Sequence, residues 1–289
     1  GYETDELSKL FIKYLRDRAE EAKSGNAKPF FAVLSVQPPH DPYVAPEEYM
    51  RRFNPAKLEM RRNVPPVRSI EEQARRDLAG YYAMIENWDD NVGKIRQVLQ
   101  ATGLAWNTHI IYFSDHGDMH GSQGQYRKTA PWEESIRIPF IISGGQPRYE
   151  RWRTGRVSAL LNHVDIAPTT LGLCGIPKPS WMEGTDYSHL RIQKENAPSE
   201  PDSAYLQNVI PTGHPNSVAR PYRGLVTKDG WKLVCFENTP WLMFNLAEDP
   251  FELANLAHNN RYRAERRKLL SRLRQWVADT GDTFPVPED

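Results

Sequence analysis

Three short apolar runs constrain this chain more than any other feature. Residues 30–36 (Phe-Phe-Ala-Val-Leu-Ser-Val), 109–113 (His-Ile-Ile-Tyr-Phe) and 138–142 (Ile-Pro-Phe-Ile-Ile) are rich in aromatic and β-branched types. Runs of that length and composition read as buried strands. Between the first two stands a segment with helical periodicity. Over 71–101, Leu78, Tyr81, Ile85, Trp88, Val92, Ile95 and Leu99 fall on one stripe, and Gly103 is placed to end the helix. Strand, helix, strand in that order predicts an α/β fold whose central sheet is largely parallel and covered by helices. Another helix is expected over 5–23, with Thr4 as its N-cap.

Beyond about residue 200 the texture changes. Residues 222–227 and 231–236 flank Asp229-Gly230, a hairpin signal, and 241–246 supplies a third strand. Residues 260–279 form a basic amphipathic pattern carrying Leu269, Leu270, Leu273, Trp276 and Val277. The expectation is a small antiparallel sheet with one helix on it. Residues 1–200 would be an α/β domain and 201–289 a small subdomain. Hydrophobic residues at 39% and charged ones at 26% suit a globular chain. A formal net charge of +0 gives no bulk attraction for nucleic acid, and no apolar run is long enough to span a bilayer. The two cysteines, Cys174 and Cys235, have no Cys-x-x-Cys spacing and read as small core hydrophobes.

The strongest chemical signal is Ser114-Asp115-His116-Gly117-Asp118-Met119-His120-Gly121, directly after the 109–113 run. Sites in open α/β sheets collect beyond the carboxyl ends of strands. Asp115 offers carboxylate oxygens and His116 an imidazole nitrogen, both competent ligands for a divalent cation. Two adjacent ligands are half a site; a turn-capping Asp beside an exposed His is the other reading. Gly121 and Gly124 lead to Tyr126-Arg127-Lys128, where a cation could hold an oxyanion or sit solvated. His40, in Pro39-His40-Asp41-Pro42 after the 30–36 run, could protonate a leaving group or be plain surface. Asp165 precedes a helix and reads as its N-cap. There is no Walker-type phosphate loop and no Gly-x-Ser-x-Gly elbow.

Taken in order, these segments resemble the sulfatase family of the alkaline-phosphatase-like superfamily. The resemblance runs through His40-x-Pro42, Gly80-Tyr81-Tyr82-Ala83-Met84-Ile85, Ser114-Asp115-His116-Gly117-Asp118 with Gly124 and Lys128, and Glu133-Glu134-Ser135-Ile136-Arg137-Ile138-Pro139. It continues through His163-Val164-Asp165-Ile166-Ala167-Pro168-Thr169 and residues 245–256. It implies hydrolysis of a sulfate monoester of a small molecule or carbohydrate, with no nucleic-acid or membrane partner. Asp115 and His116 resemble the second pair of ligands to a calcium ion, or sometimes magnesium. Lys128, with Arg127 beside it, resembles the sulfate-contacting lysine. His40 resembles the histidine that binds sulfate and protonates the departing alcohol. A periplasmic, secreted or lysosomal location fits the family.

The departures matter as much. The family's nucleophile is a formylglycine made from Cys or Ser in a Cys/Ser-x-Pro/Ala-x-Arg motif, and this chain has none; Cys174-Gly175-Ile176-Pro177-Lys178 does not match. That segment, and two aspartates completing the metal site, are expected upstream of Gly1. The chain alone is then expected to be inactive, with an exposed sheet edge open to self-association. Ser122-Gln123 stands where the family often has a histidine. Two alternatives remain: a phosphate or phosphonate ester hydrolase of the same superfamily, or a truncated binding or assembly module. Residues 44–70, and 180–220 with Trp181, His189, His214 and Arg220, are the places to seek substrate contacts.

Overall fold

The computed structural model describes residues 1–25, 28–145, 154–192, 198–210 and 218–288. The chain falls into two compact units. The first comprises residues 1–111 and 141–150, the second 112–140 and 151–289.

Helices α1 (Glu3–Lys23), α2 (Glu47–Met50) and α3 (Arg68–Ala101) dominate the first unit. Helix α1 begins one residue before Thr4, which lies buried inside it, so Thr4 is not the cap. The acidic first turn, Glu3, Asp5 and Glu6, complements the helix dipole instead. Leu15 packs with Ile95 and Leu99, and Phe30, Leu34 and Ile110 join that cluster. The most buried face of α3 coincides with the predicted stripe at Ile95 and Leu99 but departs from it further up the helix. Ala83, Met84, Asn87, Asn91, Ile95 and Leu99 are buried, whereas Ile85 is 37% exposed. Two buried asparagines are tolerable because Asp5 of α1 accepts from both, at 3.0 Å from Asn87 Nδ2 and 2.7 Å from Asn91 Nδ2. A hydrophobic stripe alone could not reveal a helix pair joined by a carboxylate–amide contact. Gly103, at φ 77°, follows the end of α3 as expected.

Residues 44–70, one of the places to seek substrate contacts, are docked on α3. Ala45 and Tyr49 pack on Ala83 and Met84, and the Tyr49 hydroxyl donates to Asp90 at 2.8 Å. Residues 30–36 form no hydrogen-bonded strand. Their burial still alternates: Phe30 and Leu34 face the α1–α3 core, while Phe31 and Val33 are 78% and 70% exposed. The period-two pattern was legible, but a strand also needs a neighbour to pair with.

Strands β1 (His109–Phe113) and β2 (Phe140–Gly144) form a two-stranded sheet. The Gly145 N–H donates to the Thr108 carbonyl at 2.8 Å, and the Phe113 and Phe140 rings meet at 6.4 Å. The start of β1 therefore lies beside the end of β2, and the pair is antiparallel.

The second unit holds α4 (Glu133–Ile136), α5 (Ile166–Cys174) and a four-stranded antiparallel sheet. Its strands are β3 (Ser203–Asn208), β4 (Tyr222–Thr227), β5 (Trp231–Phe236) and β6 (Thr239–Asn245), hydrogen-bonded in that order. The Asp229-Gly230 turn joins β4 to β5, with Val226 opposite Lys232 and Gly230 at φ 88°. Helix α6 (Arg263–Asp279) places Leu269, Leu270, Leu273 and Val277 on Leu225, Leu233, Cys235 and Met243. Strand β3 was not anticipated: Ser-Ala-Tyr-Leu-Gln-Asn is too polar to announce itself, and pairing with β4 makes it a strand. Of the cysteines, Cys235 is buried in this core but Cys174 is exposed, so only one is a core residue. Among the described residues, no helix is long and apolar enough to cross a membrane.

Candidate active site

The β1 strand ends at Phe113, and the chain turns at once into Ser114, Asp115 and His116. The Ser114 hydroxyl donates to the His116 carbonyl, and the His116 N–H donates to Asp115 Oδ1 at 2.9 Å. His116 Nδ1 lies 2.8 Å from the Gly117 carbonyl. A carbonyl only accepts, so the ring proton sits on Nδ1 and the neutral ring keeps its lone pair on Nε2. Nε2 is 3.5 Å from Asp115 Oδ2, whose side chain is 86% exposed. A carboxylate oxygen and an imidazole lone pair thus stand side by side. An Nδ1–H anchored to backbone is the usual support of a metal-binding histidine. The donor set fits a hard divalent cation, but only in part. Among the described residues, no group of three or more His, Cys, Asp or Glu could hold a metal ion.

Gly117 is required by packing. A Cβ there would lie 1.9 Å from the Glu134 carbonyl oxygen, and its N–H donates to Ser135 O at 2.8 Å. The site loop therefore leans directly on α4.

Residues 118–129 form a tightly braced loop. Asp118 Oδ1 accepts from His120 N at 3.1 Å and Arg127 N at 3.0 Å, while Met119 N donates to Arg127 O at 2.9 Å. His120, Gln123, Arg127 and Thr129 all have positive φ, as do Gly121 and Gly124. For a β-branched residue such as Thr129, at φ 63°, this is a costly conformation. Lys128 thus sits between two residues of positive φ, Arg127 and Thr129. Burial holds the His120 imidazole below its usual pKa, with Asp118 opposing.

The structure brings Asp115, His116, Arg127 and Lys128 into the second unit. His40 belongs to the first, where its Nδ1 is 2.8 Å from the Asp41 carbonyl and 3.2 Å from Asp41 Oδ1. Its loop lies against α3 at Gly80, where a Cβ would meet the Tyr43 carbonyl at 2.1 Å. That contact explains the glycine in Gly80-Tyr81-Tyr82.

His163 carries part of the family resemblance, but the sequence assigns it no place in the site. It is exposed, and its Nε2 lies 3.3 Å from the Ser114 carbonyl, beside Asp115 in the chain. Nothing local signals this, because the two segments are 49 residues apart. Asp165 is structural, as expected, but as a brace more than a cap: it accepts from Asn162 N and Thr185 N, each at 2.7 Å. Of the proposed substrate contacts, Trp181 is 77% exposed and Arg220 stacks 4.2 Å over Phe236. His189 is buried, with Nε2 3.5 Å from Glu200, and is no surface contact. His214 lies outside the described residues.

With this geometry in place, comparison with known proteins is decisive. The family model described as Sulfatase matches residues 1–176, more than half of the chain. The chain belongs to the sulfatase family. The model described as N-sulphoglucosamine sulphohydrolase, C-terminal, matches residues 121–279. A curated relative, the ulvan-active sulfatase of Formosa agariphila, is 33% identical over 91% of this chain and 51% of its own length. The chain spans about half the length of the curated relatives it matches first. Two solved structures show the alkaline-phosphatase-like fold. One is in complex with its substrate D-glucosamine-2-N,6-O-disulfate: TM-score 0.79, 20% identity, covering all of this chain and 72% of that one. The other is the phosphonate monoester hydrolase of Agrobacterium radiobacter: TM-score 0.80, 22% identity, covering 96% and 62%. The α/β fold with a small antiparallel sheet is thus the sulfatase one.

Proposed function

We propose that this chain supplies one half of the metal and sulfate site of a sulfuric ester hydrolase acting on a carbohydrate or other small-molecule sulfate monoester. The observation that carries the reading is the Asp115–His116 pair, with Nδ1 anchored and Nε2 turned toward the carboxylate at 3.5 Å. A bound calcium or magnesium ion would be held by Asp115 Oδ2 and His116 Nε2 and would polarise the S–O bonds of the ester. Lys128 and Arg127 offset the negative charge of the sulfate oxygens. His40 carries over by resemblance as the group that hands a proton to the departing alcohol oxygen. The nucleophile, expected to be formylglycine, is the part this chain does not supply, and the isolated chain is therefore inactive. The carbohydrate assignment draws on the ulvan-active relative and on the fold neighbour bound to a sulfated glucosamine.

Two measurements on the purified chain test this. Mn²⁺ should broaden the His116 ring resonances selectively, and Asp115→Asn should abolish that response. An aryl sulfate should not be turned over. Brisk turnover, or a Mn²⁺ response indifferent to Asp115, would overturn the proposal. A second reading, phosphonate or phosphate ester hydrolysis, draws on the phosphonate hydrolase neighbour. Sulfate and phosphonate esters share a tetrahedral centre, so the longer protein assayed with both decides between them.

A further inference from the structure

The second unit contains a buried ion cluster that the proposed chemistry does not use. Lys232, in the interior strand β5, is fully buried. Its Nζ donates to Glu252 Oε1 at 2.7 Å and Glu133 Oε1 at 3.1 Å. Glu252 is 3% exposed and has φ 55°, a left-handed conformation for an ordinary residue. Burial pushes its carboxyl above the usual range, against the pull of Lys232 and the Glu133 N–H.

Both ends of the site loop are tied to this cluster. At one end, Glu252 Oε2 accepts the Glu133 N–H at 2.8 Å. Helix α4 has no side-chain cap from its own N-cap residue, Trp132, so Glu252 does the capping from 119 residues away. The next link is Ser135 O, which accepts the Gly117 N–H at 2.8 Å, and the Gly117 carbonyl fixes His116 Nδ1. At the loop tip, Gln123 Nε2 donates to the carbonyls of Phe251 at 3.2 Å and Glu252 at 3.0 Å. The segment carrying Asp115, His116, Arg127 and Lys128 is therefore clamped at base and tip by one short stretch that follows β6, Phe251-Glu252.

We infer that Lys232 and Glu252 are positioning residues: the pair holds α4 and the Gly117 backbone so that the His116 ring keeps its Nδ1-anchored orientation beside Asp115. The inference rests on the functional reading above for what is being positioned. A pair that only stabilises the sheet is the competing explanation.

The two explanations separate in a variant that keeps the fold. Replacing a buried ion pair by apolar residues of similar size is often neutral for stability. Lys232→Met with Glu252→Met therefore removes the clamp without leaving either member of the pair as a lone buried charge, and Glu133, the other partner of Lys232, keeps Arg137 Nη1 at 4.0 Å. Two readouts are taken on His116: the ¹⁵N ring signature of the Nδ1–H tautomer at about pH 8, where imidazole is neutral, and the Mn²⁺ concentration that half-broadens its ring signals. His258, exposed and distant in sequence, is the control. The tautomer signature should be lost or mixed, and the Mn²⁺ midpoint should rise roughly 10-fold, the usual cost of removing an outer support of a metal ligand. Glu252→Gln keeps an oxygen for the Glu133 N–H and should restore both readouts to within about twofold. A folded double variant with unchanged His116 signals overturns the inference. So does loss of the fold in both the double variant and Glu252→Ala, since the pair would then hold the sheet and not the loop. If wild-type His116 ignores Mn²⁺, the metal reading fails, and the tautomer readout still decides the positioning role.

Discussion

Replacing Asp282 by Asn should cost the second unit a stability that depends on pH. Asp282 Oδ2 accepts from Arg223 Nε, and Oδ1 accepts from Arg223 Nη2 at 3.2 Å, a bidentate pair. Tyr205 OH adds a hydrogen bond at 3.0 Å, and the N–H groups of Thr283 and Phe284 add two more at 2.7 and 3.1 Å. The Arg223 side chain is 6% exposed and that of Asp282 13%, so neither charge is well screened. Hydrogen bonding to Arg223 is the largest cause that lowers the Asp282 carboxyl to about 2. Against an unfolded value near ~3.9, that gap of roughly two units corresponds to about 2.5 kcal/mol. The folded pKa is depressed, so the stabilisation is complete above the unfolded pKa and disappears as pH falls through about 2. About half should remain near pH 3. In Asp282→Asn, Arg223 also keeps a buried charge without its counter-ion, so the loss at neutral pH should be about 3 kcal/mol. Urea denaturation of wild type and variant from neutral pH down to roughly pH 2 reads the difference directly. It should shrink by about 2 kcal/mol between roughly pH 5 and pH 2. A difference that stays flat with pH would refute the argument, because the cost would then be packing and not charge.

Gly117→Ala should destabilise the chain by roughly 1–3 kcal/mol through its clash with the Glu134 carbonyl; thermal melting checks the cost, and the His116 response to Mn²⁺ should vanish with it. Asp5→Ala removes the acceptor shared by the Asn87 and Asn91 amides, of which only Asn91 Nδ2 keeps the Asn87 carbonyl at 2.9 Å, and should cost the first unit about 2 kcal/mol, measured by chemical denaturation. Iodoacetamide should label one cysteine in the native chain and two after denaturation. Cys174 is exposed, whereas burial pushes the Cys235 thiol up to about 12. Rapid native labelling of Cys235 would contradict the packing of β5 on α6.

The amino-acid sequence by itself determined the family, the class of fold and the residues that could do chemistry. Helices α1, α3 and α6, the strand at 109–113 and the Asp229-Gly230 hairpin all announce themselves through periodicity or turn chemistry, which are local properties. Asp115, His116 and Lys128 are legible for the same reason, since strand end, loop and motif are contiguous. The tertiary structure decided everything that depends on a distant partner. The α3 face that packs is the one with asparagines, because Asp5 is there to receive them. Residues 30–36 keep a strand's alternation but, among the described residues, pair with no neighbouring strand. His163 approaches the Ser114 carbonyl from 49 residues away. Glu252 caps a helix more than a hundred residues upstream while holding a buried lysine. Sequence patterns record which face of an element prefers to leave water; which carboxylate meets which amide or ammonium is fixed only when the elements are packed.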